Sequence, residues 1–238
     1  MRPYSATFSL RRFELSTLDA VQVCSMYSLG LDPSFSDMGW CIHDPWAIGK
    51  ARVIDKGRFS SPADMVFVAR YMGLRSCVNN LLEDYPEVKI VGVESPPFGE
   101  GWSEGLYALF TYINEAIYTH RKDVVYFDPL TVKSLTKEDP SIRKGKMFKA
   151  DMVAMAKADT GVSRWNNDEA DAYNVARFAA RFWLLLEGEI DEDVLIPSER
   201  HTFLGEHTFS KGVRSGETDK YGTMFRENDR FFRFSKLE

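Results

Sequence analysis

The apolar positions of this chain fall first into short runs and later into longer helical spacings. Apolar runs over about 27–32, 38–43 and 51–59 predict three consecutive strands, joined by hairpin-like links around Pro33-Ser34 and Asp44-Pro45. Ser60-Ser61-Pro62 then carries a helix-start signature, and Met65, Val68, Ala69, Met72, Val78, Leu81 and Leu82 recur at helical spacing as far as Tyr85-Pro86. A fourth strand is expected over 89–94, a loop over 96–101 and a helix over 103–120. Val124-Val125-Tyr126-Phe127 forms the fifth strand, closed by Asp128-Pro129. The stretch 131–148 is polar and basic. A helix then runs to Ala158, with Gly161 past its end, and a last amphipathic helix starts near Asn167.

Three strands, helix, strand, helix, strand, helix, helix predicts an α/β protein: a mixed five-stranded sheet flanked by helices, the layout of a ribonuclease H-like fold. The pattern divides the chain into an N-terminal extension (1–26), a central α/β domain (27–186) and a C-terminal extension (187–238). Met26 offers an alternative start. The C-terminal extension opens on the acidic run Glu187, Glu189, Asp191, Glu192 and Asp193, expected to be a solvated boundary. It then carries Phe203, Phe209, Phe225, Phe231, Phe232 and Phe234, which either pack back on the core or order on a partner; packing is the favoured expectation.

Composition narrows the function classes. No apolar stretch is long enough to cross a bilayer, and the run 176–186 is interrupted by Arg177 and Arg181. The N-terminus lacks the apolar core of a secretory signal, so a cytoplasmic compartment is expected. Cys24, Cys41 and Cys77 form no CxxC pair, and the four histidines show no ligand spacing, so neither a zinc site nor a disulfide framework is indicated. The net charge of −5 does not advertise a nucleic-acid binder, but phosphate affinity depends on local lysines and arginines rather than on the total.

Four acids carry the candidate chemistry. Asp32 ends the run Tyr27-Ser28-Leu29-Gly30-Leu31, and Glu94 ends Ile90-Val91-Gly92-Val93. Asp168 and Asp171, three residues apart, share one face at the head of the last helix. Taken singly, Asp32 before Pro33 also fits a turn former, and Asp168 fits a residue favoured by the helix N-terminus. Asp171, one turn later, is not explained by a cap. Glu169 is expected to face solvent. Acids brought together in this way repel one another unless cations compensate them, and carboxylate and water are the ligands that Mg²⁺ prefers.

These residues also resemble a known family. Leu29-Gly30-Leu31-Asp32-Pro33-Ser34, with Met38-Gly39-Trp40 after it, resembles the first-strand motif of the RuvC family of Holliday-junction resolvases. Glu94 is similar to that family's second acid, and Asp168-x-x-Asp171-Ala172 to the acidic pair on its last core helix. The match covers roughly 27–185, and the extensions make the chain look like a phage-type crossover junction endodeoxyribonuclease.

The resemblance implies a structure-selective endonuclease that resolves four-way and other branched DNA by two-metal hydrolysis, leaving 5′-phosphate and 3′-hydroxyl ends. Two Mg²⁺ ions, with Mn²⁺ the expected substitute, would be held by Asp32, Glu94, Asp168 and Asp171. It implies that Lys133 and Lys146 stand beside the acids, Lys146 as part of the catalytic set; the basic segment itself offers Arg143 and Lys144 as phosphate contacts. An aromatic after the second acid, Phe98 or Trp102, would stack on a base. It further implies a homodimer through the helix 103–120, placing two sites on the two strands of a junction. Other readings are a non-cleaving junction-binding protein, a transposase- or integrase-like nuclease on the same fold, and an actin-like nucleotide-binding domain, for which the chain is too short.

Overall fold

The computed structural model describes residues 26–62, 64–95, 104–136, 148–204 and 231–232. Its elements are β1 (Tyr27–Pro33), β2 (Asp37–His43), β3 (Val53–Ser60), α1 (Phe67–Asp84), β4 (Val88–Glu94), α2 (Glu104–Thr119), β5 (Asp123–Phe127), α3 (Pro129–Thr136), α4 (Lys149–Thr160), α5 (Asn167–Glu187), α6 (Pro197–Glu199) and β6 (Phe231–Phe232). The strands form one mixed sheet in the order β3-β2-β1-β4-β5-β6. β1, β2 and β3 pair antiparallel, whereas β1–β4 and β4–β5 are parallel. The five expected strands are thus present, and a two-residue sixth is added beyond β5.

Alternation along the strands sorts the side chains into two layers. Leu29, Leu31, Val91 and Val93 face α1 and α2, where they pack with Leu74, Val78, Leu109 and Ile113. Ile90, Val125 and Phe127 face the other way, onto Val175, Phe178 and Phe182 of α5. The even positions of β1 therefore look at α5. Ser28 Oγ donates to the Ala176 carbonyl at 2.8 Å. A Cβ at Gly30 would lie 1.9 Å from the Ala172 carbonyl oxygen, so only glycine lets the helix lie this close to the central strand.

Three expectations from the sequence need correction. α1 begins at Phe67 rather than at Ser60, because Ser61 is tied to the β1–β2 loop: its N–H and its Oγ both donate to the Ser36 carbonyl, at 2.8 and 3.0 Å. The polar stretch after β5 is not all loop. Pro129, which needs no N–H partner, opens α3, and Val132 and Leu135 bury its inner face. Glu169 does not face solvent: it bonds the Asn166 N–H at 3.2 Å and pairs with Lys56 at 2.5 Å.

The segment after α5 packs on the core as far as Leu204. Phe203 is fully buried with its ring 5.4 Å from that of Phe182, a burial worth about 1.5–3 kcal/mol. Glu199, 1% exposed, receives two hydrogen bonds from the Arg181 guanidinium. Phe209, Phe225 and Phe234 lie outside the described residues. Among the described residues no helix is long and apolar enough to cross a membrane.

Candidate active site

Parallel pairing sets the first two acids side by side. Leu31 is in register with Val93, so Asp32 and Glu94 follow at the same level on adjacent strands. Both occupy even positions and point to the α5 side, like Gly30 and Gly92 behind them. α5 supplies the third. Its start is fixed by a reciprocal cap, in which Asn166 Oδ1 accepts from the Glu169 N–H at 2.7 Å and Glu169 returns the bond. Asp171 then falls one turn inside the helix, in the layer against the sheet.

Asp32, Glu94 and Asp171 line one pocket of about 90 Å³. Two lysines complete its charged wall: Lys133 from α3, and Lys149, the first residue of α4. Asp151 fixes that helix start by accepting from the Phe148 N–H at 2.7 Å. Pro129, Val132 and Met152 form the apolar wall.

The electrostatics reflect crowded negative charge. Burial, then Asp171 and Asp168, push Asp32 up to about 7, while Lys149 and Lys133 pull it back. Burial, then Asp32 and Asp171, push Glu94 up to about 8. Asp171 is raised by burial to about 6, again opposed by Lys149 and Lys133. Two lysines do not neutralise the set, and a divalent cation would relieve the remaining repulsion. Among the described residues no group of three or more His, Cys, Asp or Glu forms a ready-made metal site. The open all-carboxylate donor set still fits Mg²⁺, which keeps several waters and is bound through one or two carboxylates plus substrate phosphate.

Asp168 stands apart from the other three. It is not among the side chains lining the pocket, and its Oδ2 lies 3.0 Å from Arg58 Nε on β3. The sequence signalled neither Arg58 nor Lys149 as part of this neighbourhood. Lys149 was one of several lysines in a basic stretch; its marker was Asp151, three residues after Phe148, which starts the helix there. Lys146, Lys144, Arg143, Phe98 and Trp102 lie outside the described residues.

A larger cavity of about 440 Å³ sits beside the opposite end of β2, lined by His43, Arg52, Asp159, Arg177, Arg181 and Glu199 among others. Its charges are paired internally: Arg52 and Arg177 on Asp159, Arg181 on Glu199. His43 is driven down to about 3 by burial and stays neutral. That cavity lacks the clustered acids of the smaller one.

No family model matches the sequence, and no curated protein matches it. Solved structures do. RuvC from T. thermophilus in complex with a Holliday junction substrate superposes with a TM-score of 0.56 at 17% identity, over 68% of this chain and 96% of that one. A second Thermus thermophilus RuvC structure gives 0.55 at 18% identity, over 68% and 97%. At this identity the likeness is one of fold: the chain has the RuvC-type ribonuclease H-like architecture, with additional segments at both ends.

Proposed function

We propose that this protein is a divalent-metal-dependent DNA endonuclease that cuts branched DNA, with four-way junctions as its preferred substrate. The observation that carries this reading is the convergence of Asp32, Glu94 and Asp171 on one pocket with Lys133 and Lys149. The RuvC likeness supports the choice of branched DNA, since one of those structures holds a Holliday junction substrate.

In this mechanism Asp32, Glu94 and Asp171, with Asp168 at the rim, would hold divalent cations, Mg²⁺ first among them. Those ions, when bound, would supply an activated water and a sink for charge on the departing 3′ oxygen. The chain's own groups do the rest. Lys133 and Lys149 draw the scissile phosphate toward the acids and offset part of the repulsion a polyanion would meet there. Pro129, Val132 and Met152 limit water on one side of the pocket, which strengthens these charge contacts. The carboxylates would have to release their protons to hold cations, so cation binding would tighten with rising pH. No side-chain nucleophile is required. A homodimer would present two such sites to the two strands of a junction.

The test is nicking of synthetic four-way junctions, duplex and single strands, with and without Mg²⁺. Mg²⁺-dependent cuts with 5′-phosphate ends, faster on the junction, are expected. Junction binding without cutting under any divalent metal would favour a non-cleaving junction binder instead.

A further inference from the structure

Asp168 has a cation of its own. Arg58 places Nε 3.0 Å from Asp168 Oδ2 and Nη2 2.9 Å from Asp37 Oδ1, bridging the two carboxylates. Arg58 pairs with Gly39 across β2–β3, and Gly39 pairs with Asp32 across β1–β2, so the guanidinium rises from the same cross-strand row as the first acid. Two features make this contact a switchable one. The Asp168 backbone is pressed against Gly39, where a Cβ would lie 2.2 Å from the Asp168 carbonyl oxygen; the carboxylate is therefore placed by side-chain torsions alone. The second anchor, Asp37, is itself held by Ser36 Oγ at 2.8 Å, and hydrogen bonds from Ser60 and Ser36 keep its carboxyl below the usual range.

We propose that Arg58 is a positioning residue that competes with the divalent cation for Asp168: it holds the carboxylate at the rim of the cation-free site, yields it as the cation binds, and stays tethered to Asp37. The inference rests on the metal-dependent reading above. Arg58 and Asp168 side chains are 42% and 26% exposed, so their ion pair is weak enough to exchange for a divalent ion. Released from Asp168 but still fixed by Asp37, the guanidinium becomes a fork-shaped donor beside the acids, where a substrate phosphate would arrive.

The experiment is Mn²⁺ binding to DNA-free protein, followed by electron paramagnetic resonance, on folded samples verified by circular dichroism. R58Q should bind Mn²⁺ roughly two- to fivefold more tightly than the parent, the range a surface ion pair corresponds to. The gain should vanish in a D168N background, because the competition has no object there. D37N should act in the opposite sense and weaken Mn²⁺ binding, since Arg58 then rests wholly on Asp168; should R58Q not fold, this sign decides. Equal binding by R58Q and the parent, or a gain that persists with D168N, overturns the proposal while leaving the metal site standing. Absence of Mn²⁺ binding from every protein, the parent included, overturns both the proposal and the reading beneath it.

Discussion

Gly39 and Asp168 touch backbone to backbone: a Cβ on Gly39 would meet the Asp168 carbonyl carbon at 2.4 Å as well as its oxygen at 2.2 Å. The contact lies where the head of α5 crosses β2, beside the Asp32 position in register. The spacing between the acidic helix and the acidic strand is thus set by the absence of a methyl group.

Gly39→Ala should therefore lower stability by about 1–3 kcal/mol, the usual cost of overpacking a rigid contact. It should also reduce cutting more than junction binding, because α5 has to lift away from the sheet. Urea denaturation and single-turnover cleavage measure the two effects. Unchanged values in both would mean that α5 does not sit this close.

Asp32→Asn and Glu94→Gln should each reduce cleavage to background while leaving junction affinity within a few-fold of the parent. On the proposed reading these acids would hold cations, whereas phosphate grip would come from the lysines. Parallel cutting and gel-shift assays decide, and near-normal cutting by both variants would remove the metal assignment.

Lys149→Ala should slow single-turnover cutting at saturating protein by roughly ten- to a hundredfold, the range expected when one charged contact to a reacting group is lost. Lys149 faces all three pocket acids electrostatically. An equal effect on affinity alone, with the rate unchanged, would make it a binding residue only.

Stability of the cation-free protein should fall as pH rises from about 4 to about 8. The sign follows from the carboxyls: Asp32, Glu94 and Asp171 have folded values of about 7, 8 and 6, above their ordinary 3.8, 4.5 and 3.8. A group raised on folding contributes stability that is fully present below its unfolded value and lost as pH climbs through the folded one. Mg²⁺ should restore the loss, and Asp32→Asn should flatten the profile. Melting temperatures across pH 4–9 test this; a rise over that window would contradict it.

Arg181→Ala should cost about 2–4 kcal/mol, because it strands the buried Glu199 carboxylate. Adding Glu199→Gln should recover much of the loss. Denaturant melts of the two variants measure the coupling.

Much of this arrangement was legible in the sequence. The apolar runs around Leu29-Gly30-Leu31 and Val91-Gly92-Val93 mark two buried strands, and the acid ending each, a common feature alone, gains its weight from the order and spacing of all four acids. The pair Asp168–Asp171 was equally visible, but its split was not: Arg58 reaches Asp168 from a strand 110 positions earlier, through a pairing that no local pattern encodes. α3 was missed because its length, eight residues, gives little helical period and its signal is a proline that also ends strands. Lys133 was singled out by the family resemblance, whereas Lys149 became distinguishable from other basic residues only once the start of α4 was known.

The site joins the first strand of the domain to its last long helix, with β4 between them. Such non-local contacts form late in folding, after the chain ends of the domain have been brought together. A chain emerging from the ribosome presents Asp32 first and Asp171 only 139 residues later. The acids accordingly cannot meet in a polypeptide that stops short of α5. On the proposed reading, DNA cutting would begin only once synthesis has delivered α5, and a truncated product lacking that helix would be harmless to the genome around it.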